Sequence, residues 1–304
     1  MTAQEVHRRM ALAHTTAGEL LAAHPGAHVH LTGALAHGLA HARSDVDLHL
    51  VTPDSPPPVT AVRRDGIRID ITATTTSAVD GARSLLGSFD LPLEGDVPAL
   101  REVRSRMGEL TRLRTAQRLD GRGTATPVLT APEKTVYARW ALADRLQEAI
   151  TLTEDLAGLL HSGQVHAASV TVAQLGIVIA QAEAVAAGQP LLGPKWLPAL
   201  RGLAATPPTG PLPLPPLADT GPHGGQWGFA DIQHRLLKAV FACWGVPPGP
   251  AEPLPDVMRS FGWLPIVCNE GFAAQFGDDV LALSGGQLLT WATRAPAPTA
   301  GRWP

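Results

Sequence analysis

Two aspartates separated by one residue stand in the segment Ser44-Asp45-Val46-Asp47. In a β-strand, side chains two residues apart project from the same face, so Asp45 and Asp47 would point together with their Cα atoms about 6.6 Å apart. Val46 and Leu48 would face the opposite way, into a hydrophobic core. Two converging carboxylates repel each other unless cations neutralise them. The pattern therefore favours a site for divalent metal ions, of the kind that supports in-line displacement at phosphorus.

A third carboxylate follows on a segment in which apolar and polar residues alternate. Gly66–Thr72 has isoleucine at positions 67, 69 and 71 and polar residues between them, which predicts a half-buried strand with Asp70 on its polar face. A solvated strand residue is the alternative interpretation of Asp70. Because it follows the aspartate pair, we expect Asp70 to be a third metal ligand beside Asp45 and Asp47.

A glycine precedes the aspartate pair by about a dozen residues. Gly33 follows the predicted strand His28–Thr32 and opens a predicted short helix, Gly33–Ala42. Glycine permits a sharp turn and a close approach to a ligand, and the first turn of a helix offers free N–H groups to an anion. A phosphate-binding turn beside a carboxylate pair predicts a nucleoside triphosphate with its metal.

The ordered set of residues resembles the signature of the nucleotidyltransferase superfamily (polymerase-beta-like), in which Gly-Ser and a short helix precede Ser-Asp-hydrophobic-Asp. The positions that agree are Gly33, Ala36, Gly38, Ser44, Asp45 and Asp47. Ala34 stands where the family has serine, and Leu35 and His37 stand where it has arginines. The chain resembles most the small-molecule and aminoglycoside members, which carry a C-terminal helical domain.

This resemblance implies Mg²⁺-dependent transfer of a nucleoside monophosphate from an NTP to an acceptor hydroxyl, with release of pyrophosphate and with ATP as the expected donor. Asp45, Asp47 and Asp70 would be the catalytic and metal-binding residues, holding two Mg²⁺ ions. The nucleotide would be bound by Gly33, Ala34, His37, Ser44 and Lys195. The serine hydroxyl missing at Ala34 would have contributed about 1.5–3 kcal/mol as a hydrogen bond to a charged group, which weakens phosphate binding without abolishing turnover.

Two domains are expected to position these residues. The fold class is α+β: a small mixed nucleotidyltransferase sheet with flanking helices over residues 1–125, followed by a mostly α-helical domain over residues 130–304. Capping boxes at Thr2-x-x-Glu5 and Thr130-x-x-Glu133 predict the starts of two helices. The proline-rich stretch 205–224 predicts a long loop. We expect the active cleft between the two domains, where clefts often lie, with the helical domain closing on the acceptor.

Composition limits the partners. The 304-residue chain has a net charge of −3 at pH 7 and is 45% hydrophobic, which does not indicate a general nucleic-acid binder. Its two cysteines form neither a disulfide framework nor a metal-ligand set. We see no signal-peptide core and no apolar run near ~18 residues. We therefore expect a cytoplasmic protein without membrane contact; the sequence does not predict its oligomeric state.

Three functions remain open. The acceptor would be a small molecule (an antibiotic, a nucleoside or a sugar-like compound), or a protein or tRNA as in toxin-like members, or the chain would be a non-catalytic nucleotide-binding relative. The complete carboxylate set argues against the last, and the weak basic character argues against tRNA. Tryptophans 140, 196 and 244 suit a closed pocket for a compact acceptor. A polycationic acceptor would need further carboxylates, for which Glu133, Asp144 and Glu270 are the candidates.

The catalytic base is a separate open point. Asp70 is one candidate, because it would lie at the metal site and could take the acceptor proton. Glu133 is the other, because related antibiotic-modifying enzymes use a carboxylate from the second domain. The helix cap at Thr130 explains Glu133 without catalysis.

Overall fold

The computed structural model describes residues 2–58, 60–89 and 98–200, the helical residues 235, 236, 239, 242 and 243, and four strands between 264 and 293. The chain divides into two compact units, Met1–Ser88 with Ser105–Tyr137 and Phe89–Arg104 with Ala138–Pro304. These bounds differ from the expected division between residues 125 and 130, because two of the helices described below each contribute to both units.

A six-stranded sheet forms the centre of the first unit, with the strand order β3-β4-β2-β1-β5-β6. The second and fourth strands run parallel and all other neighbours run antiparallel, so the predicted mixed sheet is confirmed. The strands are β1 (His28–Thr32), β2 (Val46–Thr52), β3 (Thr60–Arg64), β4 (Ile67–Thr75), β5 (Gln117–Leu119) and β6 (Ala125–Pro127).

Four helices accompany this sheet in the sequence: α1 (Ala3–Ala23), α2 (Gly33–Ala36), α3 (Thr76–Ser84) and α4 (Pro98–Thr115). The capping box of α1 is confirmed, since Glu5 N–H donates to Thr2 Oγ1 at 3.2 Å and Thr2 N–H donates to Glu5 Oε2 at 2.8 Å. One face of the sheet packs into a hydrophobic core with α1. Its buried members include Ala13, Ala17, Val29, Leu31, Val46, Leu48, Leu50 and Ile69.

The packing of this core determines which side chains lie on the opposite face of the sheet. Burying one aliphatic side chain of this size stabilises the fold by about 1.5–3 kcal/mol, so the apolar residues of β1, β2 and β4 that belong to this core are held on the α1 side. Because side chains alternate along a strand, the polar residues between them, Thr32, Asp47 and Asp70, face the other way.

Two turns lie near the site. The hairpin between β3 and β4 turns at Asp65-Gly66, with φ +50° at Asp65 and +77° at Gly66, as a tight turn with two left-handed residues requires. The helix predicted for Gly33–Ala42 is wrong in length, because α2 ends at Ala36. Gly38 adopts φ +71°, a conformation that glycine favours just past a helix end. The following strand begins at Val46, so the expectation that Asp45 lies in the same strand as Asp47 is wrong.

The second unit contains most of α5 (Ala131–His161), α6 (Val165–Ala186), a 3₁₀ turn at Pro194–Trp196 and α7 (Leu197–Leu200). Phe89 and Trp140 pack with their ring centroids 4.6 Å apart. Trp140 is 4% exposed, so it is a core residue of this unit. The residues of the proline-rich stretch 205–224, and Trp244, lie outside the described part of the chain.

The expectation of a mostly α-helical second domain is wrong for residues 264–293. These residues form a four-stranded antiparallel sheet, ordered β10-β9-β8-β7. Two residues separate each consecutive pair of strands, and these are Asn269-Glu270, Gly277-Asp278 and Gly285-Gly286. Gly-Asp and Gly-Gly between short apolar runs favour β-hairpins. The expectation of helices over these residues was wrong because it did not use these signals. The strands are β7 (Leu264–Cys268), β8 (Gly271–Phe276), β9 (Asp279–Ser284) and β10 (Gln287–Thr293).

Helix α6 also departs from the expectation that no long apolar run is present. An 18-residue window of α6 has a mean hydropathy of 1.5, enough by length and composition to cross a membrane. Of that window, 44% is buried inside the protein, and a core helix of a soluble protein has the same composition. Gln174, Gln181 and Glu183 interrupt the run, which is why it does not stand out as a continuous apolar stretch.

Candidate metal centre

Asp47 occupies the middle of the site because β2 lies between β1 and β4. In the strand register, Thr32 lies opposite Asp47 on β1, and Asp70 is its neighbour on the parallel strand β4. Val46 and Leu48, which flank Asp47 in sequence, are 0% and 1% exposed. The alternation of the strand therefore turns the Asp47 carboxylate away from the core, where it is partly exposed.

Three carboxylates converge at this point. Asp45 lies one residue before β2, and one carboxylate oxygen from each of Asp45, Asp47 and Asp70 lies within 4.8 Å of the other two. All three side chains are half-buried, so solvent and ligands can reach them. Hard oxygen donors in this number suit Mg²⁺ or Mn²⁺. The convergence expected from the sequence is present in the structure.

The backbone of Gly33 lies directly against the Asp47 carboxylate. Gly33 has φ +67°, and a Cβ atom built on it would overlap Asp47 Oδ2 and lie 2.8 Å from Asp47 Cγ. Only glycine fits at this place without displacing the carboxylate. The three carboxylates fit a divalent cation. Because Gly33 has no side chain, there is room beside it for the Asp47 carboxylate, which would help to hold that cation.

Arg68 places a positive charge beside Asp70. Its Nε–H donates to Asp70 Oδ1 at 2.7 Å. That hydrogen bond, followed by the charge of Asp70 and then the charges of Asp45 and Asp47, raises the pKa of Arg68. The Arg68 and Asp70 side chains are 59% and 24% exposed, and an ion pair this open to water contributes little to stability. Arg68 is thus an accessible cation at the edge of the carboxylate cluster.

The residues expected to bind the nucleotide are placed in different surroundings. Ala34 is half-buried in α2, and His37 is half-buried and ends that helix. Ser44 is 7% exposed, and its Oγ accepts a hydrogen bond from His41 N–H at 2.9 Å, so it orders the loop before Asp45. Thr32 Oγ1 donates to Asp47 O at 3.4 Å. Nucleotide contacts by Gly33, Ala34, His37 and Ser44 stay predictions.

Lys195 belongs to the second unit. It lies exposed in the 3₁₀ turn Pro194–Trp196, with Nζ 5.0 Å from the centroid of the Trp196 ring. A cation at this distance from an indole face is weakly stabilised by it. Its contact with a triphosphate stays a prediction.

Glu133 is a poor candidate for the base. It caps α5 by accepting from Thr130 N–H and Thr130 Oγ1–H, each at 2.7 Å, and it accepts from Arg83 Nε at 2.5 Å and Nη2 at 3.1 Å. The Arg83 hydrogen bond, helped by those from Thr130, lowers the pKa of Glu133 to about 2. A carboxylate that weakly basic accepts protons poorly at neutral pH. Glu133 also belongs to the first unit, not to the second domain as expected.

The other two carboxylates suggested for a polycationic acceptor are Asp144 and Glu270. Asp144 is 1% exposed and is ion-paired with Arg145 and, at 3.3 Å, with Arg104 Nε. It is therefore part of a buried ionic cluster of the second unit, not a surface residue. Glu270 lies outside the described residues.

Sequence reasoning missed a histidine pair beside the acidic cluster. His30 and His49 lie opposite each other on β1 and β2, and each is 5% exposed. His49 Nδ1 is 2.7 Å from Thr72 Oγ1. Burial, with smaller contributions from neighbouring positive charges, lowers the pKa of both histidines to about 4. The alternation of side chains that places Thr32 and Asp47 on one face of the sheet also places His30 and His49 on that face. The histidine pair could therefore be predicted from the sequence only if β1 and β2 were first paired in this register.

No protein-family model matches the chain, and no curated protein matches its sequence. Among solved structures, the chain is similar to a nucleotidyltransferase-like protein from Exiguobacterium sibiricum 255-15. The similarity has a TM-score of 0.37 and 13% sequence identity, and it covers 78% of this chain and 77% of the other. A likeness with a TM-score below 0.5 does not establish a shared fold or function.

Proposed function

We propose that the chain is a Mg²⁺-dependent nucleotidyltransferase, which moves a nucleoside monophosphate from an NTP to a hydroxyl of a small molecule and releases pyrophosphate. The observation that carries this proposal is the convergence of Asp45, Asp47 and Asp70 on the polar face of a mixed sheet, with Gly33 against Asp47. Three hard oxygen ligands at one point are what two-metal chemistry at phosphorus needs. Their order along the chain is the order in the superfamily that the sequence resembles.

In the proposed reaction the acceptor oxygen forms a bond to the α-phosphorus, and the bond from that phosphorus to the leaving pyrophosphate breaks. The electron pair of the broken bond leaves with pyrophosphate. When bound, Mg²⁺ would neutralise phosphate charge and acidify the acceptor hydroxyl. Asp45 and Asp47 would hold the metal, and Asp70 would share it and accept the acceptor proton. Backbone N–H groups at Gly33 and Ala34 would contact the terminal phosphates.

Asp70 is proposed as the base for two reasons. Its carboxylate is partly exposed beside the other two aspartates, where a reacting hydroxyl would have to lie. The alternative, Glu133, has its pKa lowered to about 2 by Arg83 and Thr130. Arg68, which donates to Asp70 in the structure, would have to share Asp70 with the incoming acceptor.

The proposed acceptor is a small molecule and the proposed donor is ATP. The net charge of −3 supports a small acceptor over a nucleic acid, because nucleic-acid binding depends on clustered positive charge. Trp140 is buried in the core of the second unit, so it gives no support to a closed acceptor pocket.

The proposal is tested by measuring the transfer of a nucleotide to an acceptor. The protein is incubated with Mg²⁺ and each α-labelled NTP over a panel of hydroxyl-bearing antibiotics, nucleosides and sugars. We expect an acceptor mass gain of one nucleotide with equimolar pyrophosphate, and no transfer by Asp47→Asn. Label appearing on protein or RNA instead would select the alternative acceptor class. The absence of NTP turnover and of metal binding in the wild type would contradict the proposal altogether.

A further inference from the structure

A buried arginine of α1 reaches the loop that carries Asp45. Arg9 is 5% exposed. Its Nη2 donates to Ala42 O at 2.6 Å and its Nε donates to Ser44 O at 3.0 Å. A third, longer bond runs from Nη1 to Glu5 O of its own helix, at 3.4 Å. All three acceptors are backbone carbonyls, and two of them belong to one short loop.

An arginine in this place needs a physical reason. Removing a guanidinium from water is costly, and neutral carbonyl oxygens offset that cost only in part. The apolar stripe of α1 would accept an aliphatic side chain here, as it does at Ala13 and Ala17. What arginine adds is a planar fork of fixed geometry that can bond two carbonyls at once. Its effect is therefore exerted on the conformation of the loop.

The loop lies outside the hydrogen-bonded ladders of the sheet. Residues 37–45 form neither helix nor strand. Within them, Ser44 N–H donates to His41 O and His41 N–H donates to Ser44 Oγ, both at 2.9 Å. The carbonyl of Ser44 belongs to the same planar peptide unit as the nitrogen and Cα of Asp45. A bond that fixes Ser44 O therefore fixes the plane from which the Asp45 side chain projects.

We infer that Arg9 is a positioning residue of the metal centre, which holds the Ser44–Asp45 peptide so that the Asp45 carboxylate meets those of Asp47 and Asp70. The inference rests on the proposed function, because metal binding is what gives the position of Asp45 its importance. Asp47 and Asp70 lie within β2 and β4, whose ladder already fixes them. Asp45 lies outside the ladder and depends on the loop.

The test compares Arg9→Met with Arg8→Met. Arg8 is the neighbouring residue of α1, and its Nη2 donates to Asp65 O at 2.6 Å in the β3–β4 turn. The control thus removes a bond of the same chemistry from the same helix without touching the loop. Mn²⁺ affinity is measured by titration calorimetry, and amide hydrogen exchange is followed over residues 41–46. Both variants are also made in the Asp45→Asn background.

We expect Arg9→Met to weaken Mn²⁺ binding by about 10–100-fold, the range found when support of a metal ligand is lost, and to speed exchange at residues 41–46. Arg8→Met should do neither. In the Asp45→Asn background, Arg9→Met should have no further effect on Mn²⁺ affinity. An equal loss with and without the Asp45 carboxylate would overturn the inference, because it would show general damage to the fold.

A second variant covers the case in which Arg9→Met does not fold. Arg9→Lys keeps the charge but cannot bond both carbonyls as a planar fork, so its Mn²⁺ affinity should also fall. Wild-type affinity in Arg9→Lys would overturn the inference. If the wild-type protein binds no Mn²⁺ or Mg²⁺, the proposed function fails, while the exchange measurement still decides whether Arg9 orders the loop.

Discussion

Replacing Gly33 by alanine places a methyl group inside the candidate metal centre. The new Cβ would overlap Asp47 Oδ2 and would lie 2.8 Å from Asp47 Cγ and 3.2 Å from Asp47 Cβ. Three atoms of one side chain cannot all give way by small shifts. The Asp47 side chain must therefore rotate, and its carboxylate leaves the position in which it meets Asp45 and Asp70.

The energetic cost has two parts that a control can separate. A non-glycine residue with left-handed backbone dihedrals costs about 1–2 kcal/mol, and Gly33 has φ +67°. Gly163, in the turn between α5 and α6, has nearly the same φ, +70°, and a Cβ built there meets no atom within 4 Å. Gly163→Ala should therefore show the backbone cost alone. Gly33→Ala should lose about 0.5–1.5 kcal/mol more, the cost of forcing the Asp47 side chain off its rotamer.

The assay combines urea denaturation with Mn²⁺ titration and turnover for both variants. We expect both to be destabilised, and only Gly33→Ala to lose Mn²⁺ affinity and activity, by a factor of at least about ten because a metal ligand is displaced. Gly33→Ala with the Mn²⁺ affinity and turnover of Gly163→Ala would refute the reasoning. It would show that Asp47 does not need its present position.

Three further predictions concern the carboxylates and the buried histidines. Asp45→Asn and Asp47→Asn should each lose nearly all turnover while keeping the circular dichroism and melting behaviour of the wild type; normal activity in both would contradict the metal site. Asp70→Asn should lower the rate by about 10²–10⁴-fold with NTP binding retained, whereas Glu133→Gln should keep its turnover and lose at most about 1 kcal/mol of stability with the ion pair to Arg83; the reverse pattern would move the base to Glu133. The pKa of His30 is lowered from 6.5 to about 4 by burial first, then by His49, His28 and Arg118, so unfolding takes up a proton between these values and the free energy of unfolding falls as pH decreases through them. We expect His30 to lower the free energy of unfolding by about 3 kcal/mol over this pH range. Urea titrations at several pH values should show this loss. The prediction would be contradicted if the His30→Leu variant had the same pH dependence of stability as the wild type.

The elements that carry local signals were predictable from the sequence. The alternating isoleucines of β4 specify which face is buried, and Asp65-Gly66 specifies a tight hairpin because both residues tolerate positive φ. The capping boxes at Thr2 and Thr130 mark helix starts through hydrogen bonds that span three residues. Such signals act within a few residues, so reading them does not require the tertiary fold.

What could not be predicted depends on contacts between distant segments. The path of residues 37–45 is held by Arg9, which lies 33 and 35 residues from its two loop acceptors in sequence. The proximity of His30 and His49 follows only once β1 and β2 are paired in their actual register. The sheet of β7–β10 was overlooked for another reason, because the hairpin signals Gly277-Asp278 and Gly285-Gly286 were not used.

The three carboxylates therefore differ in what holds them. Asp47 and Asp70 are neighbours on parallel strands, so their separation is set by the hydrogen-bonded ladder and changes only if the sheet itself is disrupted. Asp45 is held by the loop, through the bonds of Arg9 and Ser44. A change that loosens this loop would weaken a three-carboxylate metal site while the sheet remains intact. Metal affinity and global stability should accordingly vary independently for substitutions at Arg9, and together for substitutions at the buried positions Leu48 and Ile69, which pack beneath the ladder.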